Sequence, residues 1–236
     1  MNAFTLIPVA TLTLVLAGAP GGIVLAQHAP RTQPDRIGLS RQEARQDSLD
    51  ARVRRFLDAH RGRWRDMNVP AQDGQRLFDL VVENGYTRAL EIGTSTGHSA
   101  IWIAWALSRT GGKLITVEID QGRYQEALRN FREAGLGSYI DARLADAHEL
   151  VPRLEGPFDF VFLDADKNWY TRYFHAVYPK LVVGGCFTAH NVSGRRTGWV
   201  AEFLDALDAA PGLETDIVGS YRAGMSVSYK RSADPS

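Results

Sequence analysis

The sequence predicts an α/β fold: a doubly wound, mostly parallel seven-stranded sheet with helices on both faces and its last strand antiparallel. Three observations carry this. From Gln72 onward, helix-like and strand-like segments alternate with short connections. The last two apolar runs, 215–218 and 225–229, have only a turn between them, so they should pair antiparallel. Polar residues with chemical potential follow the strands, and open α/β sheets bind ligands at those carboxyl ends.

The elements follow in order. Residues 1–30 contain no Asp, Glu, Lys or Arg, and an apolar run rich in Leu, Val and Thr covers 4–16. Pro20-Gly21-Gly22 breaks any helix there, and Val24-Leu25-Ala26 offers small or branched residues before Gln27. This reads as a signal peptide cleaved after Ala26, which implies export to a compartment such as the periplasm. The alternative is an uncleaved membrane anchor, with Arg31, Arg36 and Arg41 holding the domain in the cytoplasm. A buried N-terminal helix is the third reading. The stretch 27–39 is a linker, and 40–232 is the single catalytic-type domain. Ser40 is placed to cap a helix over 40–61, with Glu43 completing a capping box. Leu49, Val53, Phe56 and Leu57 form its apolar stripe. Helices are then expected at 74–83, 99–107 (with Trp102 and Trp105 inward), 123–134, 148–154, 169–181 and 199–209. Strands are expected at 88–92, 113–119, 140–144, 158–163 and 182–188, ahead of the closing pair.

Bulk composition excludes several classes. With 236 residues the chain suits one large α/β domain. Lys+Arg and Asp+Glu balance at 27 each, so no basic excess points to nucleic acid. The lone Cys186 permits no intrachain disulfide.

Five strand-end strings carry the chemistry. In Glu91-Ile92-Gly93-Thr94-Ser95-Thr96-Gly97-His98-Ser99 the glycines allow close backbone approach to a ligand. The string lacks both the Gly-Lys-Ser/Thr ending of a phosphate loop and the Gly-x-Gly-x-x-Gly of a nicotinamide site. Glu118 ends the next strand, roughly 20 residues on, where an acid can take both hydroxyls of a ribose. Asp120 suits a helix cap instead. Asp146-Ala147 follows the third strand, where an adenine edge would lie or Asp146 would cap a helix. In Leu163-Asp164-Ala165-Asp166-Lys167-Asn168-Trp169-Tyr170 a buried strand runs into two acids and a lysine, a possible cation ligand beside a general base. His190-Asn191 ends the adjacent strand and can converge on Asp164.

Taken together, these strings resemble the metal-dependent class I O-methyltransferases typified by catechol and caffeoyl-CoA O-methyltransferases. The resemblance runs from Met67-Asn68-Val69, through Gly74-Gln75, to the last strand near Tyr229. It implies a Rossmann-like methyltransferase fold and S-adenosylmethionine as cofactor. Val69, Glu91, Gly93, Ser95, His98, Ser99, Glu118, Asp146, Ala147 and Asp164 would contact that cofactor. Lys167 would be the catalytic base, and Asp164, His190 and Asn191 would hold a divalent metal, Mg²⁺ or a transition metal. Members of the family carry Asp-Asn where this chain has His190-Asn191. As a ligand, the imidazole would favour a transition metal over Mg²⁺. Turned away, it would leave Asp164 and Asn191 a poor cation site, with His190 or Lys167 deprotonating the acceptor without metal.

The expected activity is methyl transfer to a hydroxyl oxygen of a small, phenolic or catechol-like acceptor. The competing expectation is an exported nucleoside-binding module without catalysis. The expected partners are a small-molecule acceptor and no nucleic acid, with membrane association through the N-terminal segment and homodimerisation left open.

Overall fold

The computed structural model describes residues 36–64, 67–193, 196–219 and 224–233. The segment read as a signal peptide or anchor, 1–26, and the expected linker up to residue 35 lie outside the described residues. Among the described residues, no helix is long and apolar enough to cross a membrane.

Seven strands build one sheet: β1 (Arg88–Ile92), β2 (Lys113–Glu118), β3 (Ile140–Leu144), β4 (Phe158–Leu163), β5 (Leu181–Ala189), β6 (Leu213–Val218) and β7 (Met225–Lys230). Their order is β3-β2-β1-β4-β5-β7-β6. The first five run parallel, and β7 runs antiparallel to both neighbours. The chain therefore winds outward from β1 in one direction and from β4 in the other, so β1 and β4 flank the switch point. Helices α1 (Arg36–Ala59), α2 (Ala71–Asn84), α3 (His98–Thr110), α4 (Gln121–Ala134), α5 (Ala147–Leu150), α6 (Tyr170–Val177) and α7 (Trp199–Ala209) complete the fold.

Two apolar layers sandwich the sheet. In β4, Phe160 and Phe162 enter the layer formed with α1 to α4, while Val161 and Leu163 enter the layer formed with α6 and α7. A central parallel strand buried on both faces has to read as a continuous apolar run, and Phe158-Asp159-Phe160-Val161-Phe162-Leu163 nearly does. Asp159 is the exception because it lies at the strand start. Its carboxylate accepts from the Thr87 N–H (2.7 Å), the Thr87 hydroxyl (3.0 Å) and the Arg88 N–H (2.8 Å), tying the starts of β4 and β1 together. On α1 the expected stripe faces inward, with Val53 and Phe56 buried and Leu49 and Leu57 packed beside them.

The structure corrects some boundaries. Helix α1 starts at Arg36, inside the expected linker. Ser40 is therefore already helical and cannot act as an N-cap, which needs non-helical backbone. The helix expected over 148–154 is α5 followed by a 3₁₀ turn, Val151–Arg153, because Pro152 supplies no N–H for a continuing α ladder. The expected helix 169–181 is a 3₁₀ turn (Lys167–Trp169), then α6, then a second 3₁₀ turn over Tyr178–Lys180 that contains Pro179.

Backbone pairing continues past the strand ends into the connecting loops. The Asp164 N–H donates to the Ile92 carbonyl (3.0 Å), and the His190 N–H donates to the Leu163 carbonyl (3.0 Å). The Gly93 N–H donates to the Val117 carbonyl (3.1 Å), and Ala145 to that of Glu118 (2.9 Å). The loop residues after β1, β3, β4 and β5 are thus placed with nearly the precision of the sheet itself. Replacing Asp159 by Ala should lower stability by about 1–3 kcal/mol, since three donors at the strand starts lose their acceptor. The check is a lower urea midpoint with an unchanged denaturant slope.

Candidate active site

A cleft of about 630 Å³ opens at the carboxyl ends of β1, β2, β4 and β5. It is lined by Met67, Asn68, Gly93, Ser95, Glu118, Arg123, Asp146, Ala147, His148, Asp164, Lys167, Tyr173, His190 and Asn191, among others. A larger hollow of about 890 Å³ lies beside α1, α2 and α3, lined by Arg54, Trp64, Phe78, His98 and Trp105 among others. None of the strand-end carboxylates reaches that hollow, so the chemistry belongs to the smaller cleft.

The β1–α3 turn is shaped by its glycines. Gly93 (φ +100°) and Gly97 (φ +96°) both occupy the left-handed region. A Cβ on Gly93 would collide with the Asp164 carbonyl, and one on Gly97 with the Phe131 ring. Ser95, at φ +49°, donates its N–H to Glu118 Oε2 (2.7 Å). The other oxygen, Oε1, accepts from Ile119 (3.1 Å) and Asp120 (2.9 Å). Three backbone donors thus fix a carboxylate at the cleft wall, with a lone pair on Oε2 remaining for a hydroxyl group. Asp146 caps α5 by accepting from the His148 N–H (2.8 Å), and His148 stacks on Trp169 at 3.7 Å between centroids.

Gly93, Ser95, Glu118, Asp146, Ala147 and Asp164 share the cleft wall, together with Lys167, His190 and Asn191. Four residues expected at the cofactor lie behind it. Val69 is buried, and its carbonyl accepts from His98 Nδ1 at 2.8 Å. His98 Nε2 accepts from the Trp102 indole at 3.1 Å, so both ring nitrogens are engaged and the imidazole is a neutral linchpin between α3 and the segment before α2. Burial lowers its pKa, against the opposing influence of the Val69 bond. Ser99 is buried. Glu91 is fully buried beneath the cleft floor, where Oε2 accepts from Thr116 and Oε1 has no hydrogen-bond partner. Burial pushes its carboxyl from 4.5 up to about 8.

The opposite wall holds a continuous polar chain. Lys167 Nζ donates to Asp164 Oδ1 (2.5 Å) and to the Tyr170 hydroxyl (2.6 Å). That hydroxyl donates to the His190 carbonyl (3.1 Å). Asp164 Oδ2 meets His190 Nδ1 at 3.1 Å, and His190 Nε2 meets Asp73 Oδ2 at 3.1 Å. Burial opposes the charge on Asp164, but the His190 hydrogen bond and the Lys167 ammonium outweigh it and hold its pKa below the usual range. For His190 burial also disfavours the charged form, and the bonds and charges of Asp164 and then Asp73 overcome this and raise its pKa. Burial and the Asp164 charge keep the Tyr170 phenol neutral, a fixed donor. Sequence reasoning missed Asp73, which lies in the first turn of α2, and gave Tyr170 no role. An acid there resembles an ordinary dipole-complementing residue, and only the fold brings it to β5.

The two expected cofactors fare differently. Glu118, the bare backbone at Gly93 and the small side chain of Ala147 fit a nucleoside bearing polar groups. The donor set Asp164, His190 and Asn191 does not fit a divalent cation. Both Asp164 oxygens and both His190 nitrogens are spent on protein partners, and among the described residues no group of three or more His, Cys, Asp or Glu side chains is arranged to hold a metal.

Residues 42–209, more than half of the chain, match the sequence profile of the O-methyltransferase family. The chain belongs to this family. A catechol O-methyltransferase of Niastella koreensis is 41% identical over 107 residues, 44% of this chain and 48% of that protein. A caffeoyl-CoA O-methyltransferase of Petroselinum crispum is 32% identical over 149 residues, 61% of each chain. This O-methyltransferase-family chain thus spans about half the length of the curated relatives it matches. Among solved structures, the O-methyltransferase from Bacillus cereus in complex with SAH superposes with a TM-score of 0.67 at 24% identity, covering 81% of this chain and 97% of that one. TomG from Streptomyces achromogenes, in complex with SAM, gives 0.65 at 25% identity over 76% and 89%. The first likeness speaks for the fold, which is Rossmann-like.

Glu91 gives a testable pH dependence. Between pH 4.5 and about 8 the folded state holds a proton that the unfolded state has released. Stability of the ligand-free protein should therefore fall as pH rises through that window and level off above it. Glu91→Gln should flatten the fall, gaining on the order of 1–3 kcal/mol near pH 8 relative to wild type. Urea midpoints at pH 5, 6.5 and 8 check both slopes.

Proposed function

We propose that this chain transfers a methyl group from S-adenosylmethionine to a hydroxyl oxygen of a small phenolic acceptor. The observation that carries the reading is the convergence, in one cleft at the switch point, of a ribose-type acid, Glu118, with a lysine–aspartate pair, Lys167 and Asp164. The SAM- and SAH-bound state of the structural neighbours, and the catechol and caffeoyl-CoA activities named for the relatives, support it.

When bound, S-adenosylmethionine supplies an electrophilic methyl on a sulfonium, so the protein mainly has to align an oxygen in line with it. Glu118, immobilised by three N–H groups, receives a ribose hydroxyl on its Oε2 with little reorganisation. The bare backbone at Gly93 and the small side chain of Ala147 let the nucleoside lie against the strand ends. Lys167 in its amine form takes the proton of the acceptor hydroxyl. Asp164 and the Tyr170 hydroxyl then hold the resulting ammonium until the proton passes to solvent. His190 engages the other Asp164 oxygen at 3.1 Å and so fixes the carboxylate that orients Lys167. The divalent metal implied by the family resemblance has no fitting donor set here and enters no step.

Release of S-adenosylhomocysteine with a catechol panel tests the reading, and its absence for every phenol tried would defeat it. Glu118→Ala should weaken S-adenosylhomocysteine binding by about 1–3 kcal/mol in calorimetry, because a ribose hydroxyl loses a charged acceptor. Lys167→Ala should lower kcat by about 10²-fold or more with cofactor affinity unchanged, the pattern of a group used in the chemical step. An unchanged pH–rate profile in that variant would remove Lys167 from the base role.

A further inference from the structure

A carboxylate can only accept, so an imidazole that meets a carboxylate oxygen at each ring nitrogen must donate from both. His190 is in that position, 3.1 Å from Asp164 Oδ2 on one side and 3.1 Å from Asp73 Oδ2 on the other. It is 4% exposed, so water does not substitute for either partner. Its ring offers no lone pair to a metal. Asp164 is equally committed, with Lys167 on its second oxygen at 2.5 Å. Two carboxylates thus face two cationic groups, a locally neutral set. A divalent ion at Asp164 would have to displace one cationic group while standing beside the other, with only Asn191 adding a neutral oxygen. Buried charges unpaired in this way are costly.

We infer that the acceptor site works without a resident divalent cation, and that the hydrogen-bonded chain Asp73–His190–Asp164–Lys167 stands in its place. This rests on the methyl-transfer reading above and deepens it. His190 reaches no acceptor with its ring nitrogens, so it acts through Asp164 and is a positioning residue. Asp73, carried on α2, positions His190 and is the second such residue. Lys167 remains the group that touches the acceptor. The reaction balances without metal. The acceptor O–H proton goes to Lys167 Nζ, an oxygen–carbon bond forms as the sulfur–carbon bond breaks, and the electron pair leaves on sulfur as S-adenosylhomocysteine.

The test has a metal arm and a kinetic arm. Full-length wild-type protein, dialysed against EDTA, is titrated with MnCl₂ by calorimetry and by the electron paramagnetic resonance of unbound Mn²⁺. No binding isotherm is expected, and turnover with the best phenol of the panel should persist in EDTA. His190→Asp places three carboxylates around one point, and it should gain stoichiometric Mn²⁺ binding. Asp73→Asn, which preserves size, should lower kcat by about tenfold, while KM and S-adenosylhomocysteine affinity stay within about twofold. A purely structural loss would move the thermal midpoint and affinity together. Stoichiometric Mn²⁺ binding by wild type that Asp164→Asn abolishes, or turnover lost in EDTA and restored by Mn²⁺, would overturn the inference. Full activity of Asp73→Asn would overturn the positioning role. The MnCl₂ titration needs neither cofactor nor acceptor, so it decides this inference even if S-adenosylhomocysteine fails to bind and the methyl-transfer reading falls.

Discussion

The parallel hydrogen-bond ladder does not stop where the strands stop. Asp164 donates its backbone N–H to Ile92, His190 to Leu163, and Gly93 to Val117, each one step past the regular strand. These bonds are why polar groups from three sequence-distant loops sit at fixed separations. Loops ordinarily carry function at the expense of order, whereas here the first residue of each loop is still part of the sheet. The same continuity explains the close approach of Gly93 to the Asp164 carbonyl, which leaves no room for a side chain at the switch point.

Beneath that ladder the energetics are those of a doubly covered sheet. Phe160, Phe162 and Phe187 are fully buried, and α3 presents buried residues nearly all round. The aromatic rings also organise polar groups. Trp102 fixes the tautomer of His98, and Tyr170 sits edge-on between Trp199 and Phe203 while its hydroxyl reaches the polar chain. Polar groups at this depth require partners. Among the described residues the exceptions are one carboxyl oxygen of Glu91, beneath the cleft, and the Ser226 hydroxyl.

Much of the fold was legible because each strand is short, apolar and bounded, and because the closing pair leaves no room for a crossover. The boundaries that shifted did so for local reasons. Pro152 and Pro179 turned expected α-helix into 3₁₀ turns, and α1 began before the residue that resembles its cap. At the site, Glu118, Asp164, Lys167 and His190 were readable because position after a strand is a geometric statement. The glycine-turn string was readable as a unit but not residue by residue, since it does not say which side chains face the cleft. Ser95 lines it, while Glu91 and Ser99 are buried behind. Asp73 carried no signal, because nothing in the sequence tells how α2 docks against the end of β5.

That docking has a consequence for anyone re-engineering the protein. His190, Asp164 and Lys167 come from the loops after β4 and β5, but Asp73 arrives on the first turn of α2. The sheet alone can build the nucleoside wall; only the added helix closes the circuit on the acceptor side. Grafts or insertions in the segment that leads into α2 would therefore act as a tuning dial. They would change the set of Lys167 through a bond 117 residues long in sequence and 3.1 Å long in space.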